Sequence, residues 1–250
     1  MEWLLVFILG AAIGSFMNVL IVRTPRDESV SFPASHCMSC NTPLRAWHNI
    51  PIFSWLFLRG KCSFCGAKIS VQYPIIEIVS ALIFLFTAMK LGMNLHAFGI
   101  ALVFTLLLAL SVIDFYYKMV PDSLNLAALT FAILSATSLG QLGYNFTNAL
   151  LFAGGFTLLR FYLSYALKKE AMGEADIMIA ATMGAVLGVQ LALIAIFLSA
   201  LLALPALLLT RNKEDEDSHQ LPFIPFLAIA TWIVLMFDTY LSTYLAGLYG

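Results

Sequence analysis

The chain has 250 residues, of which 61% are hydrophobic and only 11% are charged, and its formal net charge is −1. Soluble domains carry about 25% charged residues, so this composition excludes an ordinary soluble protein and indicates a polytopic membrane protein. No basic stripe runs along the chain, which argues against nucleic acid as a partner and leaves the lipid bilayer as the expected surroundings.

The first apolar run, residues 3–22, is predicted to be a retained transmembrane helix. Glu2 stands where a secretory signal would carry positive charge, and the run is as long as a span. Arg23 and Arg26 follow it, and positive charge accumulates on the cytoplasmic side of a membrane. We therefore expect the N-terminus outside and the next segment in the cytoplasm.

A polar insert, residues 23–73, is long enough for a folded module outside the bilayer. It contains two pairs of cysteines with two residues between partners: Cys37, Cys40, Cys62 and Cys65. Such pairs bring four thiolates to tetrahedral spacing, and a reducing cytoplasm disfavours disulfides, so we predict a structural zinc site. Gly66 is expected to form a tight turn. Free or disulfide-bonded cysteines are the alternative. His36 and His48 are possible ligands that a closed shell of four cysteines would not need.

Further spans are predicted at 74–91, 98–116, 123–141, 148–167, 177–192, 193–210 and 221–246. Residues 177–210 are too long for one span, so we divide them near Gly188 into two. Arg160 falls within a span, where its long side chain could reach the interface. If these spans cross the membrane alternately, both termini lie outside. Five further basic residues then lie on the same side as the cysteine insert, as expected for the cytoplasm: Lys118, Lys168, Lys169, Arg211 and Lys213.

The predicted fold is therefore all-α. About eight transmembrane helices carry a small cytoplasmic zinc-ribbon-like insert. Three parts follow along the chain: a first transmembrane helix at 1–22, the four-cysteine zinc-binding domain at 23–73, and a second membrane domain at 74–250.

Asp114 and Asp176 lie at the ends of long apolar segments, where a carboxylate is costly to desolvate and indicates a functional site. The predicted topology places both at the same depth on the cytoplasmic side. That arrangement suggests a shared proton, as in aspartic proteolysis. A polar contact between helices is the alternative for Asp114, and a helix cap is the alternative for Asp176. Asp122, which follows Pro121, is expected to cap a helix.

Several motifs follow one another in a fixed order. The N-terminal third contains Gly10-Ala-Ala-Ile-Gly14-Ser-Phe-Met-Asn-Val, Arg23-Thr-Pro, Asn49-Ile-Pro, Arg59-Gly60 and Tyr73-Pro-Ile-Ile-Glu77 around the two cysteine pairs. The C-terminal half contains Asp114-x7-Asp122, Gly173-x2-Asp176 and Leu221-Pro-Phe-x-Pro-Phe. In this order and spacing the chain resembles the type IV prepilin peptidases, the bifunctional leader peptidase/N-methyltransferases of bacterial inner membranes.

The resemblance implies that Asp114 and Asp176 are the catalytic dyad of an aspartic endopeptidase. Its substrates would be type IV prepilins and type II secretion pseudopilins, cut after Gly on the cytoplasmic side. The new N-terminus would then be methylated with S-adenosylmethionine, although no residue of the sequence identifies a donor site. A peptidase without methylation, a non-enzymatic membrane assembly factor and a proton-relaying transporter are the alternatives. Against transport, the acids cluster at one face of the membrane.

The chain departs from the family pattern at three positions. Ala175 and Met178 stand where the family has Gly and often Lys, and His48 stands where it has Asp. Glycine permits close backbone approach or a positive φ, so Ala175 bears on the geometry before the second aspartate. For Glu77, in the Tyr-Pro-x-x-Glu motif, two interpretations stay open: a structural role or a role in methylation. Gly10 and Gly14, four residues apart, predict close helix packing.

Overall fold

The computed structural model describes residues 1–169, 172–210 and 222–249. Within these residues the regular structure is helical, with no β-strand, as the sequence predicted. The helices are α1 (Glu2–Arg23), α2 (Phe53–Phe57), α3 (Gln72–Leu91), α4 (Leu95–Tyr117), α5 (Asp122–Leu134), α6 (Leu139–Leu167), α7 (Glu174–Thr210), α8 (Ile224–Met236) and α9 (Asp238–Tyr249). Short 3-10 turns lie at Thr24–Arg26 and Ala46–Asn49. Arg211, Lys213 and Leu221, which were used for the predicted topology, lie outside the described residues.

The chain divides into two compact units, with the boundary inside α4. We call Met1–Ala101 the N-terminal unit and the residues from Leu102 onward the C-terminal unit. This boundary lies further along the chain than the predicted start of the second membrane domain, because α3 packs against α1.

Close packing of α1 on α3 organises the N-terminal unit. A Cβ added to Gly10 would lie 2.8 Å from the Cα of Ala81, and one added to Gly14 would lie 2.8 Å from the Cα of Glu77. The hydroxyl of Ser80 donates a hydrogen bond to the carbonyl of Gly10 at 2.8 Å. Glycine at these two positions therefore lets the helix backbones approach, as the four-residue spacing predicted.

In the C-terminal unit, α7 packs against α5, α6 and α8. Gly184 of α7 leaves the space in which the ring of Phe152 from α6 lies. The rings of Phe104 and Trp232 meet edge to face with centroids 4.8 Å apart, which joins α4 to α8. The Phe104–Trp232 contact joins the first half of α4 to the second half of α8.

The long helix α7 is broken at Gly188, where φ is 73° and ψ is 177°. A side chain there would also meet the hydroxyl of Tyr144, because a Cβ would lie 2.6 Å from that oxygen. Glycine adopts this positive φ without steric cost, and any other residue would be strained. The break coincides with the position at which the sequence analysis divides 177–210 into two spans.

Five of the described helices are long and apolar enough to cross a bilayer: α1, α3, α4, α6 and α7. α8 and α9, which are bent by 72° at their junction, form a sixth if the pair is one span. α5 has 13 residues, fewer than the ~20 that a straight span requires. The structure thus confirms a polytopic helical protein, and the count of eight spans stays a prediction.

The predicted span 123–141 ends too late. α5 ends at Leu134, and α6 begins at Leu139 after the N-cap residue Ser138. The Ser138 hydroxyl accepts the N–H of Gln141 at 3.2 Å, and the Gln141 side chain accepts the hydroxyl proton of Thr137 at 2.6 Å. This local capping interrupts an apolar stretch that hydropathy alone treats as continuous.

Candidate functional site

Asp114 lies near the C-terminal end of α4 and is only 8% exposed. Its Oδ2 accepts the backbone N–H of Ile224 at 3.2 Å, and the N–H of Phe223 is also hydrogen-bonded to the carboxylate. These N–H groups begin α8, whose own N-cap side chain makes no capping bond. Asp114 therefore satisfies donors that would otherwise be orphaned, so the polar contact between helices does exist.

Asp176 is the third residue of α7, and the N–H of Gly173 is hydrogen-bonded to its carboxylate. A side chain that reaches back from the third helical position to the residue before the helix makes half of a capping box. Asp176 thus supports the start of its own helix from inside the first turn and is not itself the N-cap.

The structure brings the two predicted acids of the C-terminal unit within electrostatic range of each other. The charge of Asp176 acts on the carboxyl of Asp114, and so does the ammonium of Lys118. Two carboxyl groups that come close enough share a proton, which is the arrangement that the sequence predicts for this pair. Such a pair can accept a proton at one oxygen and donate a proton at another.

Asn125 is a site residue that the sequence analysis missed. It is fully buried in α5, and its Nδ2 donates to the carbonyl of Ala175 at 3.1 Å. Its Oδ1 has no partner among the described residues. Asn125 therefore ties α5 to the first turn of α7, immediately before Asp176. A signal was present, since Asn125 lies one helical turn beyond Asp122, the last residue of the Asp114-x7-Asp122 motif.

The structure revises two other sequence-based predictions near this site, those for Asp122 and Ala175. Pro121 is the N-cap of α5, so the prediction that Asp122 caps the helix is wrong. Asp122 is exposed in the first turn, one residue too late to cap, where its charge is favourable toward the helix dipole. Ala175 lies in the first turn of α7 and is not among the non-glycine residues with positive φ, so its Cβ causes no backbone strain.

Arg160 does not simply extend toward the interface. Its Nη1 lies 3.0 Å from Oε1 of Glu174, which joins α6 to the first turn of α7. The Glu174 side chain is 81% exposed, so the free energy of this ion pair is small. The contact adds a second attachment to the turn that carries Asp176.

In the N-terminal unit the four predicted cysteines form one cluster. The Sγ atoms of Cys37, Cys40, Cys62 and Cys65 all lie within 4.8 Å of one another. Cys37 and Cys65 have their sulfurs 3.8 Å apart, and tetrahedral zinc with Zn–S bonds of ~2.3 Å requires sulfurs about 3.8 Å apart. The donor set and its spacing therefore fit a zinc ion. His36 and His48 lie outside the cluster, and each makes other hydrogen bonds.

Each cysteine pair lies in a tight turn of the same design. The N–H of Cys37 donates to Thr42 at 3.0 Å, and the N–H of Cys62 donates to Ala67 at 2.8 Å. Each turn needs a positive φ directly after its second cysteine. Gly66 supplies one with φ 72°, as expected, and the sequence analysis missed that Asn41 supplies the other with φ 55°.

The backbone of these turns favours thiolates. Hydrogen bonds from the N–H groups of Ser39 and Cys40 lower the pKa of the Cys37 thiol. Cys62 has its pKa lowered in the same way by the N–H groups of Cys65 and Phe64. For Cys65 the N–H of Ala67 acts in the same direction, but burial and the other thiols outweigh it and raise its pKa to about 11. A bound dication would favour the thiolate there as well.

Comparison with known proteins matches both halves of the chain. Residues 8–91 match the model of the bacterial peptidase A24 N-terminal domain, and residues 100–208 match that of the type IV leader peptidase family. The chain is 35% identical to a prepilin leader peptidase/N-methyltransferase of Stutzerimonas stutzeri, with 95% of this chain and 92% of that protein covered. The chain belongs to the type IV leader peptidase family.

Other members of this family have a similar sequence identity to the chain. The protein of the same name from Aeromonas hydrophila is 35% identical, with 94% of this chain and 92% of that protein covered. The one from Neisseria gonorrhoeae is 32% identical, with 91% and 87% covered. No solved structure matches the chain. In this family member the first matched region contains the cysteine cluster, and the second contains both aspartates.

Proposed function

We propose that this protein is a membrane-embedded aspartic endopeptidase that removes the leader from type IV prepilins and type II secretion pseudopilins, and that it then methylates the new N-terminus. Family membership supports both activities. The observation that supports the peptidase site is the pairing of Asp114 with Asp176, two acids that come from separate apolar helices.

In the proposed reaction, the ionised carboxyl of the dyad takes a proton from a water molecule, whose oxygen bonds to the scissile carbonyl carbon. The protonated carboxyl donates a hydrogen bond to the carbonyl oxygen. As the C–N bond breaks, the leaving amine receives a proton from the dyad. One water is consumed, and one carboxyl terminus and one amino terminus are formed. We assign Asp114 as the acceptor of the water proton, because the N–H groups of α8 already orient its oxygens.

The proposed location is the bacterial inner membrane, with the cysteine insert and both aspartates at the cytoplasmic side. Arg23 and Arg26 follow α1, and Lys118 follows Asp114 at the end of α4. Basic residues at these helix ends support a cytoplasmic side there. A dyad at this depth reaches the junction between a charged cytoplasmic leader and an apolar pilin helix, where the substrate would be cut after Gly.

The cysteine cluster is proposed to hold a structural zinc ion. Four sulfur ligands complete a tetrahedral shell and leave no position for a catalytic water. Cleavage is therefore assigned to the aspartates alone. For the second activity, S-adenosylmethionine supplies a methyl group from its sulfonium to the new amine nitrogen, which loses a proton, and S-adenosylhomocysteine is the other product.

The test is cleavage of a prepilin by the purified protein in detergent. We expect the wild-type protein to release the leader, and Asp114→Asn and Asp176→Asn each to lose cleavage by about a thousandfold or more, because amides cannot exchange the proton. Asp122→Asn is the matched control, since that carboxylate is exposed and is not part of the dyad. Mass spectrometry with S-adenosylmethionine present should show one added methyl group on the mature pilin.

Two results would contradict the proposal. Substantial cleavage by a folded Asp114→Asn or Asp176→Asn variant would exclude the dyad as the catalytic centre. A wild-type protein that cuts none of several prepilins and pseudopilins would favour the alternative of a membrane assembly factor.

A further inference from the structure

An exposed apolar face of the short helix α2 has no role in the sites described above. Phe53, Leu56 and Phe57 lie three and four residues apart and therefore share one side of the helix. They are 59%, 57% and 83% exposed. A helix of five residues is too short to cross a bilayer, so this exposure is not that of a membrane span. We call these three residues the apolar face of α2.

The opposite side of α2 holds the helix on the cysteine insert. Ser54, Trp55 and Leu58 line a cavity of about 640 Å³ in the N-terminal unit. The indole N–H of Trp55 donates to the carbonyl of Ile69 at 3.3 Å, and a Cβ added to Gly60 would lie 2.8 Å from the Trp55 ring. Because these contacts fix Trp55, α2 keeps its apolar face directed away from the insert.

A contact between Ile52 and α3 fixes the position of α2 along a membrane span. The N–H of Ile52 donates to Oε2 of Glu77 at 2.6 Å. Glu77 is the sixth residue of α3, so at 1.5 Å per residue this contact lies about 7.5 Å from the first residue of a helix that is long enough to cross a bilayer. Since α2 follows Ile52 directly, it begins beside the first turns of a span. Hydrocarbon meets the lipid headgroups at that height.

The charges around α2 have one sign. Between residues 29 and 76 the chain contains four Lys and Arg residues and no Asp or Glu. All four are exposed: Arg45, Arg59, Lys61 and Lys68. A zinc ion held by four thiolates would carry a charge of about −2, so the segment stays net positive with the metal bound.

Two of these cations follow α2 directly. Arg59 and Lys61 lie two and four residues after Phe57. Lys61 is also paired with Lys68 in an isolated antiparallel bridge. Residues directly opposite each other across such a pair project to the same side, and two like charges there are destabilising. An anion that approaches this side removes the repulsion.

We propose that α2 anchors the cysteine insert on the bilayer surface, with its apolar face in the boundary region and the neighbouring Arg and Lys side chains at the headgroups of anionic lipids. Interfacial helices combine an apolar face with basic residues in this way and lie about 5–10 Å deep in the boundary. The bilayer is the occupant that both observations favour, because it already surrounds the spans beside α2 and attracts basic residues where its lipids are anionic. Neither proposed activity is needed for this docking.

Photocrosslinking of the full-length protein tests the proposal. The photoreactive residue p-benzoylphenylalanine replaces Phe57, whose exposure leaves room for it, and the protein is reconstituted in nanodiscs with equal amounts of phosphatidylcholine and phosphatidylglycerol. We expect mass spectrometry to show lipid adducts in which phosphatidylglycerol exceeds phosphatidylcholine by about fivefold or more, since each basic residue near an anionic surface strengthens the attraction by about that factor.

Substitution of the basic residues separates the charge from the apolar contact. Arg59→Gln combined with Lys61→Gln should bring the ratio of the two lipids in the adducts close to one. Lys90→Gln is the matched control, because it removes a positive charge at the other end of α3 and should leave the ratio unchanged. Melting temperatures equal to that of the wild type show that the variants are folded.

Two further probe positions make the negative results decisive. The same photoreactive residue in place of Phe86, an exposed residue of α3, should react with both lipids in equal proportion, and in place of Phe53 it should behave as it does at Phe57. Adducts of the apolar face with another segment of the chain or with a second copy would overturn the proposal, because a protein surface would then cover the face. The absence of adducts at both positions of the apolar face, while the probe in α3 reacts, would overturn it as well. Lipid adducts without a preference for phosphatidylglycerol would exclude anionic lipids as the occupant.

Discussion

Asp114 is placed where one carboxylate can serve both structure and chemistry. It accepts N–H groups at the start of α8 and lies within electrostatic range of Asp176. The polar contact and the catalytic role were alternatives in the sequence, but the geometry makes them compatible. The hydrogen bonds that satisfy α8 also hold the carboxylate in place, which is what a general base requires.

The two roles of Asp114 can be separated by two substitutions. Asp114→Asn keeps an oxygen that can accept the N–H of Ile224, so it should lose cleavage and retain most of the stability. Asp114→Ala leaves that buried donor unpaired and should destabilise the protein by a further ~1–3 kcal/mol. Thermal unfolding in detergent measures the difference. Equal melting temperatures for the two variants would show that the contact with α8 contributes nothing.

At the scale of helices, small residues decide how closely the elements approach. Gly10 and Gly14 let α1 lie against α3, and Gly184 makes room for Phe152 in the C-terminal unit. Gly188 has a different function, since its positive φ breaks α7. Apolar side chains drive these segments into the membrane, but the absence of a side chain sets the distances between them.

Alanine at Gly10 and at Gly154 should have opposite effects on stability. At Gly10 the new Cβ would lie 2.8 Å from the Cα of Ala81, so separation of α1 from α3 should cost about 1–3 kcal/mol. At Gly154, in α6, nothing lies within 4 Å of the new Cβ, and alanine should stabilise the helix by ~0.5–1 kcal/mol. Thermal unfolding of the two variants provides the measurement. A melting temperature for Gly10→Ala at or above that of the wild type would contradict the packing account.

The cysteine insert should release its metal as the pH falls. Backbone N–H groups lower the pKa of the Cys37 and Cys62 thiols, so the stability that these thiolates contribute is complete above the ordinary thiol pKa and is lost as the pH falls through the lowered pKa. We expect about one zinc per chain at neutral pH and progressive release below about pH 5. A chromophoric chelator measures the released metal. Cys40→Ser should release it at higher pH, whereas Ser63→Ala, a change outside the cluster, should behave as wild type. Retention of the full zinc content by Cys40→Ser would exclude the four-cysteine site.

At the scale of the whole molecule, the two candidate sites lie in different units. The cysteine cluster lies in the N-terminal unit, and both aspartates lie in the C-terminal unit. The two matched family regions divide the chain at a similar place, between residues 91 and 100.

The predicted topology has a direct test in the parity of the spans. Eight spans place the C-terminus on the same side as the N-terminus, which the basic residues put outside. Alkaline phosphatase fused after the last residue should therefore be active, and the same enzyme fused in the loop after Lys118 should be inactive. An inactive C-terminal fusion with an active fusion after Lys118 would reverse the proposed orientation.

Patterns of residues close together in the sequence predicted much of this protein's fold. The length and composition of the apolar runs predicted a helical membrane protein, and the two cysteine pairs predicted the cluster that the structure contains. The pair Asp114 and Asp176 was proposed from depth in the membrane and from the family resemblance, and its catalytic role stays a prediction. Asn125 was missed because a polar residue in an apolar helix does not reveal its partner, and Ser138 was missed because capping leaves hydropathy unchanged.

The sequence by itself determined which segments enter the membrane, where the cysteines pair and which family the chain resembles, because these depend on apolar length and on short-range spacing. Only the tertiary structure decided that Asp114 supports α8, that Asn125 holds the turn before Asp176, and that Glu77 restrains Ile52. These contacts join residues far apart in the chain. Each forms only when particular helix faces meet, and that meeting depends on the packing of all the helices together.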